Sequence, residues 1–190
     1  YFINGLLALF ESDFNPDWLK WAQELTDHVL SEFWDSKNLN FFYTPKTHEA
    51  LIFRPKEYQD GALPSATAMM VTALVRLGKL QGNPLYLEQA EKVLLSHSHF
   101  MAQAPLASSQ FMIALELLKN RSKELVLVPG KDEDSEKEFL AFIRGNFYPN
   151  VVTHLKTDPK NELPTAYICE QQSCKPPITS LSELKKALDE

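Results

Sequence analysis

The segment Arg54-Pro55-Lys56-Glu57-Tyr58-Gln59-Asp60-Gly61-Ala62-Leu63-Pro64-Ser65 concentrates two cations, two acids, a phenol and a hydroxyl in one short stretch. Arg54 and Lys56 suit an anionic or hydroxyl-rich ligand, Ser65 adds a hydroxyl, and Asp60 or Glu57 suits the part of catalytic base or orienter. Gly61 and Pro64 impose an irregular backbone, and Ser65 can cap a following helix. The same residues also fit a solvated loop whose Arg–Asp pairs hold its own backbone.

Cys169 and Cys174 are the only cysteines, with four residues between them and Lys175-Pro176-Pro177 after them. This is neither the CxxC redox spacing nor a four-ligand zinc pattern, so no metal is expected. Placed near a strand end, the two thiols can meet across a turn, as a disulfide or a two-thiol redox site. The other reading is a reduced, structural pair, the commoner state in a chain without an export signal. The five histidines form no constellation. His97 and His99 lie two apart and point away from each other on a helix. His28 belongs at the edge of an outer helical face, and His154 can approach the cysteines only from an adjacent strand. No GxGxxG, Walker A, GxSxG or HExxH occurs, so nothing calls for a nucleotide or other cofactor.

The elements that must position these residues are mostly helical. Apolar residues cover most of Phe2 to Phe10, as in a buried helix. Asn15-Pro16-Asp17 reads as a helix start, with an Asn cap, a proline at the first helical position and an acid suited to the dipole. Trp18, Trp21, Ala22, Leu25, Val29 and Phe33 follow as an apolar stripe. Phe41-Phe42-Tyr43 and Leu51-Ile52-Phe53 predict two short strands or extended segments in a long excursion between helices. Ser65 to Leu80 predicts a helix, and Asn83-Pro84 starts another that carries Leu87, Ala90, Val93 and Leu94 on one face.

The two helix starts superpose. Asn15-Pro16-Asp17-Trp18-Leu19 aligns with Asn83-Pro84-Leu85-Tyr86-Leu87, Ala22 with Ala90, Leu6 with Leu74 and Leu9 with Leu77. Each unit is then an apolar inner helix followed by a capped amphipathic outer one, and Phe111 to Lys119 resembles the inner helix of a third. Such pairs stack into solenoids or closed toroids.

After Arg121 the pattern changes. Leu125-Val126-Leu127-Val128, Val151-Val152 and Tyr167-Ile168 predict strands. The acidic segment from Asp132 to Glu136 is a helix entry with a possible capping box at Ser135 and Glu138. Phe139, Phe142 and Ile143 form a helical stripe, and Leu181, Leu184 and Leu188 a closing helix. The expectation is a mainly α protein: residues 1–122 as helical hairpins of a partial toroid, and residues 123–190 as a small β-α-β-β-α appendage.

Composition bounds the function. The chain has 190 residues, 44% apolar and 23% charged, which excludes disorder. With 19 basic against 25 acidic residues and a net charge of −6, no basic face is supplied for nucleic acid. No run approaches the roughly 20 apolar residues that span a bilayer, and no signal peptide is visible, so a cytoplasmic, membrane-free protein is expected. Tyr1 already sits inside an apolar run, as in a processed chain or a piece of a longer one.

The order of motifs resembles a known family. "GLLALFE", "WLKWAQEL", "FWD", "RPKEYQDGALPS" and "YICEQQSCKPPIT" are similar to the C-terminal part of the thioredoxin-domain-containing proteins of unknown function, the YyaL-like and spermatogenesis-associated thioredoxin-like proteins. The resemblance covers nearly the whole chain. It implies a thioredoxin-like domain outside this chain, followed by an (α/α)6 toroid like that of N-acylglucosamine 2-epimerases and six-hairpin glycosidases. The family's loop matches Arg54, Pro55, Lys56, Asp60, Gly61, Pro64 and Ser65, and extends to a polar ligand contact at Thr67. Here Ala66 and Thr67 stand where members commonly have glycine or proline and asparagine. The cysteine motif matches at Cys169, Glu170, Cys174, Pro176 and Pro177, with Gln171-Gln172 in place of Asn-Phe. By fold analogy the implied activity is epimerase-, isomerase- or glycosidase-like on a sugar or other small polar ligand. Related epimerases use histidine acid–base pairs on inner helices, and no histidine lies between Arg54 and Leu80. The alternative is a thiol-redox or protein-interaction module in which Cys169 and Cys174 act with the thioredoxin-like domain.

Overall fold

The computed structural model describes residues 1–119, 123–130, 133–156, 162–170 and 173–189. It divides into two compact units, Tyr1–Asn120 and Arg121–Glu190.

In the first unit, α1 (Phe2–Asp13) and α2 (Pro16–Glu32) form a hairpin, and α3 (Ala66–Gln81) and α4 (Pro84–Ser96) form another. Both outer helices start as their sequences dictate. The Asn15 side chain accepts from the Asp17 N–H at 3.0 Å and that of Asn83 from the Leu85 N–H at 3.0 Å, each followed by a proline in the first turn. Gly82, at φ 61°, closes α3 in the left-handed conformation that lets the chain reverse. Gly78 lets the hairpin close, because a Cβ there would lie 2.8 Å from Leu87 Cδ2.

Helix α3 is the centre of the unit. It packs against α1, α2, α4 and α6 (Ser109–Lys119), and buries Ala68, Val71, Leu74, Val75 and Leu77 completely or nearly so. The aligned positions do not share an environment: Leu6 is buried like Leu74, whereas Leu9 is 46% exposed and Leu77 is 0%. Helix α1 packs mainly against α2 and α3, and Phe2 and Leu9 on it are exposed. On α2 the stripe is narrower than its sequence suggests. Ala22 and Thr26 are buried and Trp21 is exposed.

Between the hairpins, β1 (Trp34–Asp35) and β2 (Asn40–Phe41) form a small antiparallel ribbon. Leu51-Ile52-Phe53 is not a strand; all three residues are exposed and have no paired partner. Of the two forms expected there, a strand or an extended segment in a long excursion, the strand is not formed. A short helix α5 (Ser98–Gln103) and a 3-10 turn (Pro105–Ser108) join α4 to α6.

The second unit is a four-stranded mixed sheet in the order β4-β3-β5-β6, made of β3 (Lys123–Val128), β4 (Val151–Leu155), β5 (Thr165–Glu170) and β6 (Ser173–Cys174). Strands β3 and β4 run parallel, joined through α7 (Glu133–Gly145), and β5 is antiparallel to β3 and to β6. Leu125 and Leu127 of β3 alternate onto the same face as Ala166 and Ile168 of β5, where Phe139 of α7 and Leu184 and Leu188 of α8 (Leu181–Asp189) cover them. The buried Lys123 ammonium donates to the Ala187 and Leu188 carbonyls at 2.8 and 2.9 Å, capping the negative end of α8. Helix α7 begins at Glu133, so Ser135 lies within its first turn and not at a cap; Asp132 lies outside the described residues.

Candidate functional site

The loop that enters α3 is held by its own polar groups. Asp60 accepts from the Ser65 N–H at 2.7 Å through one oxygen and from the Gln110 N–H at 2.8 Å through the other, while its N–H donates to the Ala107 carbonyl. Ser65 is buried and caps α3, accepting from the Ala68 N–H at 3.3 Å. Thr67, also buried, donates to the Glu57 carbonyl at 2.6 Å and lies 2.9 Å from Asn40 Oδ1.

Arg54 and Lys56 serve a second cluster around Phe42. Their charged ends sit 3.9 and 4.4 Å from the Phe42 ring centroid. The Arg54 guanidinium donates to the Thr44 carbonyl, and Lys56 pairs with Asp35. Asp35 also accepts from Asn38 at 2.7 Å and from the Lys37 N–H at 2.9 Å, and the Asn38 contact and then Lys56 hold its carboxyl well below the usual carboxylate range. Arg54 and Lys56 line an open hollow of about 660 Å³ with Asp35, Ile52 and Phe53.

Glu57 and Thr67 belong to a different space, a cavity of about 200 Å³ walled by Phe33, Phe41, Phe42, Tyr43, Met69 and Met70. The Tyr43 hydroxyl donates to the Glu57 carboxylate, and this bond raises the Tyr43 pKa. The Asn4 side chain, also on the cavity, donates to the Met69 carbonyl at 2.8 Å. The six polar candidates therefore split three ways. Glu57 and Thr67 line the aromatic cavity, Arg54 and Lys56 line the open hollow, and Asp60 and Ser65 shape the backbone.

A buried hydrogen-bonded network beside Thr67 is marked by no sequence motif. Asn40 Nδ2 lies 3.2 Å from His97 Nε2, and His97 Nδ1 lies 2.9 Å from the Val93 carbonyl. This arrangement is satisfied by a neutral ring that carries its proton on Nδ1. The His97 ring stacks on Phe111 with centroids 5.1 Å apart, and Tyr58 packs at 5.1 Å. Desolvation lowers the His97 pKa. Asn40 and His97 are 57 positions apart and on no common motif, so only the tertiary fold reveals them. His99 and His28 are exposed.

In the second unit Cys169 and Cys174 face each other across β5 and β6 and are bonded as a disulfide. The reduced state expected of a structural pair is therefore not the one observed. Cys169 is buried and Cys174 exposed, while Gln171 and Gln172 lie outside the described residues. His154 sits on β4, and β3 intervenes between it and the cysteines. Among the described residues no group of three metal-ligating side chains occurs, and no helix is long and apolar enough to cross a membrane.

No family model matches the chain. Individual relatives do, along nearly all of it. Spermatogenesis-associated protein 20 of Homo sapiens is 31% identical over 99% of this chain, and that of Rattus norvegicus is likewise 31% identical over 99%. The chain is homologous to spermatogenesis-associated protein 20. An uncharacterized protein of Caenorhabditis elegans is 26% identical over 98% of the chain. The match occupies 26% of the human and rat proteins and 27% of the nematode one, so the chain spans about a quarter of the length of the curated relatives it matches.

Proposed function

We propose that the helical unit supplies part of the wall of a binding cavity for a small, hydroxyl-rich ligand of the sugar class, within an (α/α) toroid built with helices outside this chain. The observation that carries this reading is the aromatic cavity with Glu57 at its rim. Flat aromatic walls suit the C–H faces of a sugar ring, and a few polar groups fix its orientation. Glu57 and the Tyr43 hydroxyl present a carboxylate–phenol pair to ligand hydroxyls, and Asn4 and Thr67 add polar edges. The aligned hairpins α1–α2 and α3–α4, with α6 after them, support the toroid.

Within this reading the acid–base part falls to Glu57, because both oxygens of Asp60 are occupied by backbone N–H groups. Arg54 and Lys56 contribute through Phe42, whose ring they cover and which also walls the cavity. The test is calorimetric titration of the full-length protein with neutral monosaccharides. Glu57→Gln is expected to weaken binding about tenfold, the size of one charge-assisted hydrogen bond. Absence of binding at millimolar sugar, or unchanged affinity in Glu57→Gln, overturns it.

A further inference from the structure

We infer that the Cys169–Cys174 bond is a thiol–disulfide exchange site, opened by a dithiol reductant that attacks at Cys174, the exposed end of the bond. The inference is independent of the ligand cavity and rests on where the bond lies. The Lys175 N–H donates to the Ile168 carbonyl at 2.9 Å, which makes Cys169 and Cys174 a non-hydrogen-bonded pair of the β5–β6 ladder, the position where facing side chains come closest.

The bond does little for the sheet. The cysteines are five positions apart, and closing so short a loop contributes only about 2 kcal/mol by chain entropy. The sheet's core is elsewhere: Ala166 and Ile168 alternate to the face covered by α7 and α8, and Cys169 points to the other. The same edge is held independently by the paired backbone bonds of Ala166 and Ile178, at 2.8 and 2.9 Å. The tie therefore adds little to contacts that already hold this edge.

Its two ends are unequal. Cys169 is 7% exposed, whereas Cys174 and the residues after it, through Pro177, are exposed. Attack therefore falls on Cys174 Sγ. The incoming thiolate bonds to that sulfur, and Cys169 Sγ leaves with the electron pair and takes up a proton. The reductant's second thiol then displaces Cys174, which leaves as thiolate and is protonated in turn. Two electrons and two protons pass to the protein, and the dithiol becomes a disulfide. In the reverse direction Cys174 is the accessible nucleophile.

The test exposes the native protein to dithiothreitol without denaturant, with alkylation and mass analysis of the thiols and circular dichroism of the fold. Cys169→Ser and Cys174→Ser are separately treated with oxidised glutathione. The bond is expected to open with the dichroism unchanged, and Cys174 in the first variant to take up glutathione at least about tenfold faster than Cys169 in the second. Opening only in denaturant, loss of the fold on reduction, or equal or reversed reactivity overturns the inference. The wild-type measurement stands by itself if either variant misfolds.

Discussion

Asp60, in the loop that enters α3, and Cys174, on the edge strand β6, are both chemically capable side chains, yet they are spent differently. Both oxygens of Asp60 bind backbone N–H groups, one on its own loop and one on α6, so the carboxylate is part of the scaffold. Cys174 is exposed, and its bond to Cys169 ties two strands that backbone bonds already hold. Within the helical unit the same contrast separates Asp60 from Glu57, only three positions away, whose carboxylate is at the rim of a cavity. A polar side chain whose valences are filled by the backbone sets shape. One whose reactive atoms face solvent or a cavity is available for chemistry.

The largest blow to the scaffold side of this contrast is Phe111→Ala. Phe111 is fully buried and stacks on His97, and its loss should cost about 3–5 kcal/mol, read as a fall in the urea midpoint. Asp60→Ala should follow at about 3 kcal/mol, since it leaves two backbone donors without their carboxylate. A loss below about 1 kcal/mol would remove Asp60 from the scaffold and return it to the candidate acids. Opening the disulfide should cost at most about 2 kcal/mol, so reduced protein keeps a cooperative sheet transition; a larger loss would make the bond a staple.

A pH titration sharpens the picture at His97. Its folded pKa is depressed by desolvation, so the unfolded chain binds the proton more tightly. Stability should be full above the unfolded pKa of about 6.5 and decline as pH falls through the lower folded value. His97→Gln should flatten that slope in urea titrations, and an unchanged slope would assign it to other groups. The smallest effect belongs to Glu57→Gln, within about 0.5 kcal/mol in stability because the side chain is exposed. A large destabilisation would place Glu57 with Asp60.

Parts of this were legible in the chain. The Asn-Pro helix starts at Asn15 and Asn83, the cap at Ser65 and the strand at Leu125 to Val128 follow from local rules that act over a few residues. Leu51 to Phe53 left a strand and an extended segment open, because apolar character alone does not supply a pairing partner. The two-residue β6 was too short to carry a pattern, though it decides that the cysteines meet. The Asn40–His97 contact joins residues 57 positions apart, and no local signal marks it.

Local sequence by itself determined where helices start, which faces are apolar, and which residues are chemically capable, because capping, periodicity and side-chain chemistry are short-range properties. Tertiary structure decided which of those capabilities stay available. It filled the valences of Asp60 and Ser65 with backbone, turned Glu57 to a cavity, and left Cys174 at an open edge. Hydrogen-bond saturation and solvent access depend on atoms brought together from distant positions, and neither is written into the residues that carry them.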